Sequence, residues 1–586
     1  MNVNAATRST ATMYGGFVLF IAGMGGLLYG IDIGIISAAL LYLGKTVSLT
    51  LGQTSLIVAA VLGGSMLSSL VAGLLADWLG RKPMMVLSAF LFVASVVLIV
   101  LSQGFIPLFL GRLLQGMSGG VIAVVVPLYL AESLNAKNRG KGAGVFQLML
   151  TIGIVLAAIS GLYYTHAAET AISSAAGNAL LIRAAQEHAW RGMFLSIIYP
   201  GLIFFAGSFF LDETPRWLFK KGRKDAAYRA LCRTSSQEEA ALELNEMETL
   251  AHQTSETKAS ALAGSLLQRK YVIPFLLACI ILACNQATGI NSILAYLTVI
   301  LRQAGMTAQH ATQGDLAVKV LNSVMTIVAI ALVDRRGRKF LLVIGTAGVI
   351  VALSSAALIF HGFEAKQVDI REQMQARVLN NSLDLQNCAA LGSVGSSEKP
   401  MTLTVLYSSG DGGDKIASAI CSDPSPIMHI TSEQVDSAQL DLATPAAFTI
   451  RHAFYGPVPT EKTGWLIAAC LALFISAFAV GPGVVVWLAL SELMPTRIRS
   501  AGMGFALLLN QGTSTLIASV FLPVVGNHGY SPMFAFWAAC TVVYFLTAAF
   551  FLPETKGKTL EEIEAGFDKH EAGKLAVRRQ RSSGVN

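Results

Sequence analysis

Charge is scarce in this chain. Of its 586 residues only 13% are Asp, Glu, Lys or Arg, while 54% are hydrophobic; a soluble domain usually carries about 25% charged residues. That balance excludes an ordinary water-soluble globule. It also argues against a nucleic-acid surface, because the net charge of +7 is gathered in particular loops between apolar runs. Cysteine is sparse: there are seven, with no CxxC, and the nine histidines form no cluster and no HExxH. Neither zinc nor redox chemistry is expected, and no cofactor or metal site. No nucleophile–base set stands out, so an enzyme is not expected. Nor is a cleavable leader, since Met1 to Met13 leads into a run longer than the ~7–15 residues of a signal-peptide core.

Long apolar runs are what the chain has in abundance. A stretch of ~18 or more apolar residues reads as a transmembrane helix, and twelve are present, centred near residues 27, 64, 93, 119, 152, 202, 285, 325, 351, 476, 512 and 541. They predict an all-α membrane protein of twelve transmembrane helices. Two polar stretches divide them, 212–270 and 362–462. The first follows the sixth run, so the expected organisation is two six-helix bundles, 1–211 and 271–552. A linker with short helices (212–270) joins them, 362–462 is an insertion in the second bundle, and 553–586 is a tail. Arg81 and Lys82, then Lys137, Arg139 and Lys141, then Lys220 to Lys224, then Arg335 to Lys339, then Arg497 and Arg499 all fall on one side if the helices alternate. Basic loops face the cytoplasm, which puts both termini inside a plasma or bacterial inner membrane and the insertion outside.

The halves repeat. GLLADWLGRK (73–82) and IALVDRRGRK (330–339) align Asp77 with Asp334, Gly80 with Gly337 and Arg81 with Arg338. Glu132 precedes Arg139 by the same interval as Glu492 precedes Arg499, and DETPRWL (212–218) is echoed by PETKGKTL (553–560). Three pairs in one order indicate duplicated halves, a known transporter construction with the substrate held between them near the midplane.

Within the first run, about Tyr14 to Leu41, Asp32 is the only charge. An ionisable group there costs roughly 3 kcal/mol or more and is a functional candidate by default. Arg112, in GRLLQGMSGGVIAVVVPLYLAE, is the only arginine read in a comparable setting. At ~1.5 Å per residue both fall at similar depth in the outer half, so they can pair as a proton-sensitive switch. A purely structural Asp–Arg pair is the competing reading. Gly26, Gly30 and Gly34 form a small-residue stripe for close helix packing. In the seventh run Gln286 and Asn291 would stand ~140° apart on an unbroken helix; Gly289 between them permits a break.

Taken in order, GLLADWLGRK, PLYLAESLNAKNRG, DETPRWL, NQATGIN, LVDRRGRK, GPGVVVW with SELMPTRIR, and PETKGKTLEEIE resemble the sugar porter family of the major facilitator superfamily, over nearly everything outside 362–462. The resemblance implies alternating access by two rocking bundles around a central sugar. It implies substrate contacts from Gln147, Asn285, Gln286, Asn291, Asn322, Trp487 and Asn510, whose amides offer donors and acceptors to hydroxyls and whose indole can stack on a pyranose face. The acid–base sets Asp77/Arg81, Glu132/Arg139, Glu213/Arg216, Asp334/Arg338, Glu492/Arg499 and Glu554 would form a cytoplasmic gate. Proton-driven members carry an Asp at the position of Asp32 where passive ones usually have Asn. The family's QQ is here Asn285–Gln286, its Tyr pair Ala295–Tyr296, its prolines after GPG Val484 and Val486, and a usual tryptophan Gln511. These departures imply a roomier, more polar pocket.

The expectation is therefore a monomer in the lipid bilayer that carries a hexose or pentose together with a proton. Proton–inositol symport, passive uniport and a non-transporting sensor are the alternatives; the short tail from Pro553 argues against the sensor. Some proton-linked inositol carriers also enlarge the loop found here at 362–462. On the outward side Cys388 and Cys421 are expected to form a disulfide, and Asn380–Asn381–Ser382 is a glycosylation sequon in a eukaryotic host.

Overall fold

The structure is a computed structural model that describes residues 2–134, 136–260, 269–378, 382–385, 401–409, 413–420, 428–431, 448–486, 493–494 and 499–554. Twelve helices among them are long and apolar enough to cross a membrane: α1 (Met13–Thr46), α2 (Leu51–Leu79), α3 (Arg81–Leu101), α4 (Phe105–Ser133), α5 (Gly144–Ser174), α6 (Ala179–Phe209), α7 (Tyr271–Gln303), α8 (Ala308–Val333), α9 (Arg338–Glu364), α10 (Glu461–Val486), α11 (Gly502–His528) and α12 (Tyr530–Phe551). In hydrocarbon every backbone polar group must be satisfied within its own segment, so apolar runs of this length become helices. Their ends follow local chemistry. Thr50 opens α2 with a capping box, accepting from the Gln53 N–H at 3.1 Å while the Gln53 side chain accepts from Thr50 N–H at 3.0 Å. Gly80 (φ 111°) turns α2 sharply into α3, and its repeat partner Gly337 (φ 91°) turns α8 into α9 in the same way, a region open chiefly to glycine.

Helices α1–α6 pack together as one half and α7–α12 as the other. The predicted glycine stripe is the seam between α1 and α5: a methyl group on Gly26 or Gly30 would run into the Phe146 or Leu150 carbonyl. Between the halves, α2 lies against α11, α5 against α8, and α1 against the second part of α7. Hydrogen bonds cross this boundary from the middle of the bundle to the end that bears the insertion. Ser323 donates to the Thr151 carbonyl at 3.2 Å, and the Leu522 N–H donates to Ser55 Oγ at 3.1 Å.

Between the sixth and seventh of these helices the chain is helical over Pro215–Lys220, Lys224–Cys232 and Gln237–Ser260. The insertion departs from an all-helical reading. It contains β1 (Val368–Asp369), β2 (Ser382–Leu385), β3 (Met401–Ser409), β4 (Asp414–Ile420), β5 (Met428–Thr431) and β6 (Phe448–Pro457). An antiparallel sheet runs β1-β6-β3-β4, and β2 pairs with β5. Period-two alternation explains β3: Leu403 and Val405 are buried with Ile450, Ala453, Ile370 and Met374, while Thr402 and Thr404 lie on the other face. A small separate core thus rests on the helix ends, with Gly413 against Thr50 and Leu406 near Gly526. Cys388 and Cys421 lie outside the described residues, as does most of the sequon; the five cysteines that are described are free.

Candidate functional site

Asp32 sits a little past the middle of α1 and Arg112 in the second turn of α4. Each is 1% exposed. The guanidinium Nη1 of Arg112 donates to Asp32 Oδ1 at 3.2 Å and to Gln115 Oε1, one turn further on, at 2.7 Å. The Phe194 ring of α6 covers the cation at 5.6 Å. Glycine makes the approach possible: Gly119 lies against the Tyr29 ring, with Asp32 Oδ2 just beyond it. Arg112 Nε and Gln115 Nε2 are buried donors with no partner among the described residues.

A second buried ion pair, which the sequence reading did not name, accompanies Asp32 and Arg112. Asp315 and Lys319 stand one turn apart near the start of α8, Nζ to Oδ2 at 2.7 Å, 1% and 0% exposed. The reading centred the eighth run near residue 325, because hydropathy is low over AQHATQGDLAVK. The helix in fact begins at Ala308, capped by Thr307. An Asp–Lys pair spaced i, i+4 at the edge of an apolar run was the sequence signal available.

The amides form a connected set. Helix α7 is broken as predicted: its parts are Arg269–Ala287 and Ile290–Gln303, hinged at Gly289 in the left-handed region (φ 80°). A side chain there would collide with the Trp537 indole, which is stacked face to face on Phe521 at 5.6 Å. The break lets both amides turn inward. Asn291 Nδ2 donates to Gln286 Oε1 at 2.9 Å and to Ser514 Oγ at 2.8 Å. Gln286 Nε2 donates to Asn510 Oδ1 at 3.2 Å, and Asn510 Nδ2 to the Leu282 carbonyl at 3.0 Å. Asn285 points elsewhere, donating to the Pro482 carbonyl at 3.1 Å beside the π-helical turn of α10. Gln147 and Asn322 are partly exposed. Ser514, one turn beyond Asn510, is a member of the cluster that the sequence reading did not name. Trp487 lies outside the described residues.

On the face that carries the basic loops, Arg81 is buried between Asp77 (2.9 Å) and Glu132 (2.8 Å). Asp77 also meets Lys220 at 3.0 Å, and Glu132 accepts from the Thr214 hydroxyl at 2.6 Å. Glu213 does not join Arg216, which is exposed. Its carboxylate instead accepts from the backbone N–H groups of Arg81 (2.9 Å), Lys82 (3.2 Å) and Thr214 (2.9 Å), at the start of α3. Burial pushes this carboxyl above the usual range, opposed by those N–H groups. Glu554 repeats the contact in the second half, accepting from the Arg338 and Lys339 N–H groups at 3.1 Å each. A carboxylate at a helix N-terminus suits the dipole and the free donors there, and its recurrence shows the internal repeat at atomic level. Glu492 lies outside the described residues, as do the side chains of Arg139, Asp334 and Arg499.

Comparison with known proteins identifies the family. A family profile described as "Sugar (and other) transporter" matches residues 18–377 and 443–567. The chain is 28% identical over 551 residues to the glucose transporter GlcP of Staphylococcus epidermidis, covering 94% of this chain and 96% of that protein. It is 27% identical to the galactose-proton symporter of Escherichia coli, covering 94% of each. With the probable inositol transporter 2 of Arabidopsis thaliana it shares 28%, over 93% of this chain and 90% of that one. Among solved structures, the inward open conformation of the xylose transporter XylE from E. coli superposes with a TM-score of 0.62 at 20% identity, covering 94% of this chain and 98% of that one.

Proposed function

The chain belongs to the sugar (and other) transporter family, is a multi-pass membrane protein rather than an enzyme, and from that premise we propose that it carries a monosaccharide across the membrane together with a proton. The observation that carries the coupling is the buried Asp32–Arg112 pair. A buried carboxylate held by a single guanidinium contact at 3.2 Å can take up a proton when the helices move and release it when they return. One relative is itself named a proton symporter.

The sugar binds at the amide set Gln286, Asn291 and Asn510, with Ser514 added. These groups now bond one another, and each exchange of an amide partner for a sugar hydroxyl is nearly even in energy, which suits reversible binding. Gln147 and Asn322 contribute from the facing helices and Trp487 from α10. A polyol is the second reading, favoured by the likeness to the inositol transporter. On the positive-inside reading, the face with the basic loops is the cytoplasmic one. The contacts around Arg81 and the Glu554 cap on Arg338 and Lys339 each hold one half rigid, and so frame the gate on that side while the halves rock.

Counterflow in proteoliposomes against a panel of labelled hexoses, pentoses and inositols tests the substrate. Sugar-induced alkalinisation of a weakly buffered suspension tests the proton. Counterflow without alkalinisation would leave a passive carrier, and neither response would remove the transport reading.

A further inference from the structure

The second buried ion pair lies outside the proposed sugar and proton sites, and its bonds are unusual in where they end. Lys319 Nζ, besides meeting Asp315, donates to the Gly34 carbonyl of α1 at 2.9 Å. Asp315 Oδ1 accepts from the Ser37 hydroxyl of the same helix at 3.2 Å. Thr298, in the second part of α7, completes the cluster: its N–H donates to Ser37 Oγ at 3.2 Å, and its hydroxyl donates to the Ser37 carbonyl. Both charges therefore sit on one half and reach across to the other, toward the insertion-bearing end.

Fold stability does not account for such a pair. Burying two charges costs several kcal/mol per ion, and replacing a buried pair with apolar side chains of similar size is often neutral or stabilising. The pair instead has two self-consistent states. It can be dry and bonded to α1, as here. If the insertion-bearing side opens, it can be hydrated and free, with water replacing the Gly34 and Ser37 contacts. A two-state equilibrium is shifted by whatever interacts differently with its two states, and this cluster does so by construction. Gly34 follows Asp32 by two residues on α1, so the same helix carries the proposed proton site and the acceptor of Lys319.

We propose that Asp315 and Lys319 form the latch that closes the insertion-bearing side, and that their release from Gly34 and Ser37 is the step that opens it to substrate. The proposal rests on the alternating-access reading above. Asp315 and Lys319, both fully buried, act as positioning residues.

Two variants test it. Asp315→Leu/Lys319→Met removes both charges together and avoids an unpaired buried ion. Ser37→Ala leaves the pair and its bond to the Gly34 carbonyl in place and removes the hydroxyl that ties Asp315 to α1 and accepts from the Thr298 N–H. Hydrogen–deuterium exchange on the full-length protein in nanodiscs, without sugar, reads the latch directly. In both variants, exchange should rise at the insertion-side ends of α1, α7 and α8 by about tenfold or more, as expected for losing hydrogen bonds to charged groups, and not at the basic-loop ends. The apparent KM for uptake from the insertion side should fall at the same time. Unchanged exchange in either variant, or a rise spread evenly over both faces, overturns the latch. The localised rise without any sugar transport would keep the latch and remove the transport reading instead.

Discussion

Replacing Asp32 with asparagine keeps the shape of the side chain and an oxygen for Arg112, but removes the group that can carry a proton. The consequence can be sized. One carboxylate carries one proton per cycle, and a charge crossing a 100 mV potential gains ~2.3 kcal/mol. At ~1.4 kcal/mol per decade that supports about 50-fold accumulation of sugar. Asp32→Asn should lower this ratio to one, with counterflow of labelled sugar retained, because the amide set lies on α7 and α11 and does not touch Asp32. A cost to stability is also expected. Arg112 would be left as a buried cation facing neutral acceptors, and breaking a buried pair costs ~3–5 kcal/mol. The bond to Gln115 at 2.7 Å and the Phe194 ring at 5.6 Å remain, which places the loss at the lower end, ~3 kcal/mol. Thermal unfolding in detergent measures it, and Asp32→Asn/Arg112→Met should recover most of it without recovering uphill transport. The assay is uptake into proteoliposomes under an imposed proton gradient, with external pH recorded. If Asp32→Asn still concentrates sugar and alkalinises the medium, Asp32 is not the coupling group.

Other outcomes follow from particular contacts. Gln286→Ala and Trp487→Ala should each weaken sugar binding at least several-fold while leaving protein that extracts as a monodisperse peak; unchanged affinity in both, measured by titration calorimetry, removes them from the site. Gly289→Ala should lower thermal stability by ~1–2 kcal/mol from the left-handed backbone alone, and by more because the methyl meets the Trp537 ring; an unaltered melting temperature contradicts the hinge. Glu554→Gln should loosen the start of α9 and Glu213→Gln the start of α3, each seen as faster amide exchange confined to the first turn of its own helix, with equal exchange at both helices arguing against separate caps. If Cys388 and Cys421 are bonded, an impermeant maleimide should label neither from outside until a reductant is added, and immediate labelling excludes the bond.

The sequence by itself determined the twelve helices, their grouping into halves, the repeat, the break at Gly289 and the candidacy of Asp32. Those properties are local or periodic: run length decides a span, a glycine between two inward amides permits a hinge, and a carboxylate in hydrocarbon is conspicuous wherever it falls. The partners of these groups were decided by the tertiary structure. That Glu213 caps α3 instead of meeting Arg216 depends on where the linker returns beneath Gly80. That Ser514 joins the amide cluster depends on the rotation of α11 against the broken α7. The strands of the insertion needed long-range pairing, since β6 closes on both β1 and β3 across intervening segments. Asp315 and Lys319 were legible as residues but not as buried ones, because burial of a polar helix start is conferred by α1 and α7 packing over it from elsewhere in the chain.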